Sequence, residues 1–504
     1  MNAYRVESVE GHIEGTLALH GKPRAQDINA LGEVPNSTWF TNRVGVREVS
    51  LAEVRRGPEA NEPADAYLPW TITATKVGGL APGLLFKDAR GEKYILKFDR
   101  PQQPGLDTGA DIVCQRLLHL LGYNVPSNDV VTFRREDLRL AEDAEVKDLF
   151  GNTRAMTAED LDATLARGNP PDAEGKFRGL ASKYLSGKPI GGYARAGIRD
   201  DDPNDAIDHE HRRSIRGQKI IFAWLGHTDI KQDNTLDMWI EDRDTHYVKL
   251  YLLDFGNALG VWAMSNPIPW SGFKHSVDFS YGAASVFTLG LWVRPWERIP
   301  DAASGIEGVG WFESELYDPA NFKSNQYYPP FTFTDRFDGF WAAKIIMRIT
   351  PEQIDAAVRA AAYNKEAHAY LTRTLIERQH KTGKYWLSQV APLDEFVVRQ
   401  NGDSHELCFD DLMVRYGFEP ESAVTYWAIA YDRAGRETGW KAQRGKHAGH
   451  QICYLGLTPS RSKDGYMVVR IAPQSDTETL PGVEVHLAAR RETGALQIVG
   501  LVRE

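Results

Sequence analysis

The sequence predicts an α+β fold of two unequal lobes with an appended C-terminal β-sandwich. Three observations predict it. Apolar runs at 70–76, 84–87 and 94–98 are separated by Gly-containing turns and lead into a helical run at about 108–122. A second helical run, about 209–225, is followed by a polar loop and two strand-like runs around the turn Glu241-Asp242-Arg243-Asp244. From about residue 400 the pattern changes to short, regularly spaced strands at 424–431, 451–457, 466–471, 483–488 and 496–501.

Each element has its own warrant. Residues 1–66 form an N-terminal extension in which Trp39 and Phe40 anchor an ordered loop and 58–66 reads as a linker. The small lobe spans 67–190. Its helix carries Ile112, Val113, Leu117, Leu118 and Leu121 at helical spacing, with Gly122 as its stop. A charged, Pro/Gly-containing stretch at 140–176 reads as an insertion, and 177–187 returns to a strand and a turn. The large helical lobe spans 191–392, with helices expected at about 336–348, 351–362 and 365–381. Thr350-Pro351-Glu352-Gln353 is a capping box with Pro at the first helical position. Residues 400–504 are the sandwich.

Composition narrows the function classes. The chain has 504 residues, 42% hydrophobic and 25% charged, enough for a large ordered core over two or three domains. The net charge is −10 without a basic tract, so nucleic acid is not an expected partner. No apolar run reaches membrane-spanning length. The N-terminus lacks a signal-peptide core, which points to the cytoplasm, the alternative being an exported protein whose leader is absent from this sequence. Three widely spaced cysteines make a zinc site improbable. Cys114 reads as a core thiol. Cys408 and Cys453 could pair, but are read as two buried thiols. His209 and His211, two apart, do not read as a metal site. The acidic run from Asp200 to Asp208 reads as a solvated loop.

The chemistry concentrates in His227-Thr228-Asp229-Ile230-Lys231-Gln232-Asp233-Asn234 and, after the hairpin, Asp254-Phe255-Gly256. Carboxylates of this kind can take or orient a proton, and Asp and Asn oxygens are ligands a hard cation prefers. A hairpin brings the two segments together although twenty residues separate Asn234 from Asp254. Upstream, Lys97 ends an apolar strand, Asp111 lies in the following helix, and Gly78-Gly79-Leu80-Ala81-Pro82-Gly83 forms a turn between strands.

This order resembles the protein-kinase catalytic loop H-x-D-x-K-x-x-N followed by D-F-G. The resemblance covers roughly 70–390. It implies a two-lobed protein-kinase-like fold, ATP as substrate and Mg²⁺, or Mn²⁺ in its place, as the metal. It gives Asp229 the catalytic carboxylate and Lys231 the γ-phosphate, makes Asn234 and Asp254 the metal ligands, and has Lys97 anchor ATP while paired to Asp111. Gly78, Gly79 and Gly83 would cover the phosphates. The family's usual Glu is Asp at 111, which needs a closer helix. Position 80 is Leu where the family's phosphate loop has Gly.

Thr228 stands where ordinary protein kinases have Arg, and no A-P-E follows Asp254. The long aromatic segment 257–335 is instead similar to the atypical branches: the bacterial persistence-toxin kinases, phosphoinositide kinases and secretory-pathway kinases. The expected function is an atypical kinase moving the γ-phosphate to an unidentified protein, lipid or small-molecule acceptor. The alternatives are transfer of AMP or another group, and a nucleotide-binding pseudokinase scaffold.

Overall fold

The computed structural model describes residues 22–59, 62–77, 81–148, 150, 152–262, 270–298, 305–423, 425–442, 446–448, 450–473 and 481–504. Gly78 and Gly79 lie outside the described residues. The chain opens with a strap that reaches a short helix, α1 (Leu51–Arg56). Phe40 is fully buried on this strap and packs edge-on against Tyr123, so the anchoring expected of the aromatic pair is present. The small-lobe strands are β1 (Trp70–Thr75), β2 (Gly83–Lys87) and β3 (Lys93–Lys97). After β3 come α2 (Leu106–Leu121), β4 (Asn128–Phe133), β5 (Leu138–Lys147), β6 (Thr153–Ala155), α3 (Ala158–Ala166) and β7 (Phe177–Lys183). Among the described residues they form one seven-stranded sheet in the order β4-β7-β3-β2-β1-β5-β6.

Alternating burial along β1 shows why that segment is a strand: Trp70, Ile72 and Ala74 are buried while their neighbours are half-exposed. The segment read as an insertion adds β5, paired parallel to β1, then β6 and α3. Leu161 and Leu165 of α3 pack with Trp70, Phe86, Leu96 and Phe133 to form the sheet's own apolar core. Helix α2 does not join that core. Its Ile112, Val113, Leu117 and Leu121 pack with the large lobe. Gly122 closes α2 at φ 128, a conformation that suits glycine.

The chain enters the large lobe through β8 (Lys188–Pro189), followed by α4 (Gln218–Leu225), β9 (Thr235–Asp242) and β10 (Thr245–Leu252). The helix expected at 209–225 is broken. Arg212 is extended (φ −90°, ψ 125°), and its guanidinium is held 2.6 Å from buried Asp205, which also engages His209. Asp205 therefore belongs to a structural ion network rather than to the solvated loop expected there.

Helices α5 (Phe279–Phe287), α6 (Arg336–Met347), α7 (Pro351–Ala360) and α8 (Lys365–Leu387) complete the lobe. Both reciprocal bonds of the Thr350/Gln353 capping box are present. Trp224, Trp341, Ile354 and Leu375 share the core with α2.

The C-terminal sandwich pairs two sheets. One has the order β11 (Leu393–Asn401), β12 (Ser404–Asp411), β16 and β15; the other has β14, β13, β17, β18 and β19. The remaining strands are β13 (Tyr426–Asp432), β14 (Glu437–Ala442), β15 (Lys446–Ala448), β16 (Gln451–Leu457), β17 (Met467–Pro473), β18 (Val483–Ala489) and β19 (Leu496–Arg503). Leu407, Phe409 and Tyr454 of one sheet meet Val469, Val485 and Leu487 of the other in a single core. Cys408 and Cys453 face each other across β12 and β16 and form a disulfide, which corrects the reading of two free thiols. Cys114 is free and buried. Among the described residues no helix is long and apolar enough to cross a membrane.

Candidate active site

Lys97 ends the interior strand β3 and lies opposite Gly83 of β2. A Cβ at Gly83 would come within 2.3 Å of the Leu96 carbonyl oxygen, so only glycine lets the strands approach this closely beside Lys97. Lys97 Nζ lies 3.6 Å from Asp111 Oδ2 and 3.1 Å from Asp254 Oδ1. The helix carrying Asp111 is thus close enough for the shorter side chain to reach. Burial is the largest influence on Lys97 and disfavours its charge, but the two carboxylates outweigh it and hold the ammonium above its usual range. Burial pushes the Asp111 carboxyl up against the pull of Lys97, while Asn128 donates to Asp111 at 2.6 Å. Asp254 is held below the usual carboxylate range chiefly by Lys97, with burial opposing.

The loop between α4 and β9 carries Asp229. Its Oδ2 accepts from Lys231 Nζ at 2.9 Å, from Asn257 Nδ2 at 3.2 Å and from Asn234 Nδ2 at 3.3 Å. Asn234 Nδ2 also donates to the Asp229 carbonyl at 2.7 Å, so its amide nitrogen is committed to the loop and its oxygen is left for another partner. Leu253 N–H donates to the Asn234 carbonyl at 2.9 Å, tying the end of the hairpin to the start of β9. That bond sets Asn234 beside the chain that leads into Asp254. Asp254 sits at φ 60°, a left-handed backbone that costs a non-glycine residue roughly 1–2 kcal/mol.

His227 is buried and packs edge-on against Phe222 and Phe255, at 4.9 and 5.8 Å between ring centres. Burial pushes its pKa down to about 4, so it is a neutral packing link between the loop and the Asp-Phe-Gly turn. Thr228, in the place of the missing arginine, is buried with its hydroxyl 3.0 Å from Ser271 Oγ.

A cavity of about 170 Å³ is lined by Lys76, Lys97, Asp107, Asp111, Asp229, Lys231, Asp254 and Asn257. Asn234 is not in this lining. Sequence reasoning missed Lys76, Asp107 and Asn257. Lys76 follows an apolar strand just as Lys97 ends one, and Asp107 lies one helical turn before Asp111. Burial, with Arg100 opposing, pushes the Asp107 carboxyl up to about 6. Four carboxylates therefore face Lys76, Lys97 and Lys231 in a confined space, with Arg100 beside Asp107.

No protein family matches the chain by sequence, and no curated protein does. Among solved structures the chain is similar to the crystal structure of a Helicobacter pylori proinflammatory kinase, CtkA. That likeness is at 12% identity and TM-score 0.31, covering 63% of this chain and 98% of that chain. It is too distant to bear on residue roles, which are taken from this chain's own geometry. The class is a two-lobed α+β fold with a C-terminal β-sandwich. It has a sheet lysine bridged to a helix carboxylate and to the aspartate of an Asp-Phe-Gly turn, and a polar loop opposite.

Proposed function

We propose that the chain is an ATP- and Mg²⁺-dependent phosphotransferase of atypical kinase type, passing the γ-phosphate to an acceptor. The observation that carries this reading is one cavity in which Lys97 bridges Asp111 and Asp254 while Asp229 is held by Lys231, Asn234 and Asn257.

The donor set fits a hard divalent cation. The Asp254 side chain is 57% exposed, with only one oxygen committed to Lys97, and Asn234 keeps its amide oxygen for a ligand. When bound, Mg²⁺ would be held by these two residues and would neutralise phosphate charge. Lys97, fixed by two carboxylates, binds nucleotide phosphate. Lys231 lies where it can balance charge on the transferred group while restraining Asp229. Asp229 orients the acceptor and takes its proton, and Asn257 and Asn234 hold the carboxylate in place for that step.

Two variants and one parent test this. Mg²⁺-ATP is expected to stabilise the parent against heat, and Asp254→Ala to lose most of that stabilisation. Asp229→Asn should keep it while transfer of label from γ-labelled ATP falls at least about a hundredfold. Turnover equal to the parent's in Asp229→Asn removes Asp229 from the catalytic role. Transfer of α-label instead of γ-label makes the protein a nucleotidyl transferase.

A further inference from the structure

The segment between the Asp-Phe-Gly turn and α6 carries a feature the reaction does not use. At the end of α5 four large apolar side chains stand in solvent almost in succession: Val286 is 73% exposed, Phe287 87%, Leu289 87% and Leu291 84%. Val293 follows at 51%. Exposed apolar residues scattered singly need no explanation, but a run of this kind does.

The backbone at this tip is closed on itself. Thr288 N–H donates to Ala284, Leu289 to Val286, Gly290 to Ser285 and Leu291 to Thr288, all at 2.9–3.1 Å. The Thr288 hydroxyl donates to the Ala284 carbonyl at 2.8 Å, and Ser285 Oγ accepts from Arg294. The tip therefore presents hydrocarbon outward while these donors are satisfied inward, the condition a non-polar solvent imposes on a polypeptide.

Behind the tip, Tyr281 packs between Trp292 and Trp296, at 5.2 and 5.3 Å. Such amphipathic rings prefer the boundary between water and lipid. Among the described side chains of 270–298, Lys274 and Arg294 balance Asp278 and Glu297, so the segment is neutral in a chain whose net charge is −10. Local neutrality lets this segment approach an anionic surface against the trend of the whole molecule.

We propose that residues 286–293 form a membrane-docking tip that seats the large lobe on the surface of a lipid bilayer, Phe287, Leu289 and Leu291 entering the acyl boundary. A protruding apolar tip with closed backbone and an aromatic collar fits a lipid interface. It offers no open strand edge for a peptide to extend. The proposal stands whether or not the chain transfers phosphate, since its test reads binding alone.

Full-length protein is floated with vesicles of phosphatidylcholine containing about 30% phosphatidylglycerol, and with phosphatidylcholine alone. The parent is expected to float with the mixed vesicles. Flotation with both kinds supports the apolar tip without the charge contribution. The combined variant Phe287→Ser, Leu289→Asn, Leu291→Ser alters only exposed side chains and should bind at least about tenfold more weakly at an unchanged melting temperature. Independently, Leu291→Cys carrying a polarity-sensitive dye should brighten and shift to the blue on adding vesicles. Failure of the parent to float, equal flotation of the combined variant, or a dye that does not respond overturns the proposal. So does a parent dimer that the combined variant dissociates without any flotation, which makes a second copy the occupant.

Discussion

His119, in the last turn of α2, shows how one side chain can set an acid limit. Burial is the main reason its pKa falls to about 3, and the guanidinium groups of Arg43 and Arg116 add to it. The folded protein keeps His119 neutral, whereas in the unfolded chain it titrates near its ordinary value of about 6.5. Stability from this group is complete above about pH 6.5 and is lost as pH falls toward the folded value, because only the unfolded chain gains the proton. By pH 5 the loss is about 2 kcal/mol. Urea unfolding at pH 7.5 and pH 5 should show it in the parent, and His119→Gln should remove that share of the difference. An undiminished pH dependence in His119→Gln would place the acid sensitivity elsewhere. The contrast with Asp254 is one of charge: its partly exposed carboxyl is held below its usual range chiefly by Lys97, with Lys76 and Lys231 adding.

At the scale of elements, much of the fold was legible because local rules and tertiary packing agreed. The first three sheet strands, the stop of α2 at Gly122, the hairpin before Asp254 and the Thr350 cap all follow from periodicity and end chemistry. The polar loop bearing Asp229 and Asn234 was legible because five-residue spacing and a following hairpin make a joint signal. Other features depended on partners that the sequence does not identify. The β5 strand was hidden because its burial is irregular and its partner, β1, runs parallel and lies more than sixty residues earlier. The helical run before α4 broke because Arg212 is drawn to Asp205, a tertiary contact that periodicity does not encode. The link between Cys408 and Cys453 became visible only once β12 and β16 were in register. That link spans 45 residues, and removing it should cost about 2–4 kcal/mol. Thiol titration of the denatured, unreduced protein should count one group, Cys114, and the double variant Cys408→Ser, Cys453→Ser should unfold at lower urea. A count of three thiols would break the assignment. A bond of this kind persists mostly in oxidising surroundings.

At the scale of the whole molecule, the sandwich is fastened to the large lobe. Phe337, Phe340 and Met347 of α6 and Leu387 of α8 share an apolar cluster with Leu412 and Met413. Above it, buried Asp394 receives Lys344 at 2.7 Å and Arg503 at 3.0 Å. Burial opposes the Asp394 charge most, yet the two cations bring its pKa down to about 2. Asp394→Ala would leave buried Lys344 with Glu33 alone and Arg503 with the Ala391 and Leu393 carbonyls, and should cost about 3 kcal/mol. Glu395→Ala, removing a more exposed partner of Arg348, should cost at most about 1 kcal/mol. Equal losses in denaturant melts would mean that Asp394 is not the fastening. The strap joins the same body, since Leu501 N–H donates to the Ala30 carbonyl and Thr41 N–H to the Gly122 carbonyl. One feature of the cores follows through to the cavity. Lys97 stands on a sheet with its own apolar core, while Phe255 and the helix that carries Asp111 belong to the larger core shared with the helical lobe. The lysine's ion pairs therefore bridge the two cores, beside the direct packing of Leu180 from the same sheet into the larger one. Any shift of the sheet against that helix would lengthen the Lys97 pairs, which couples the charge balance of the cavity to the position of the sheet.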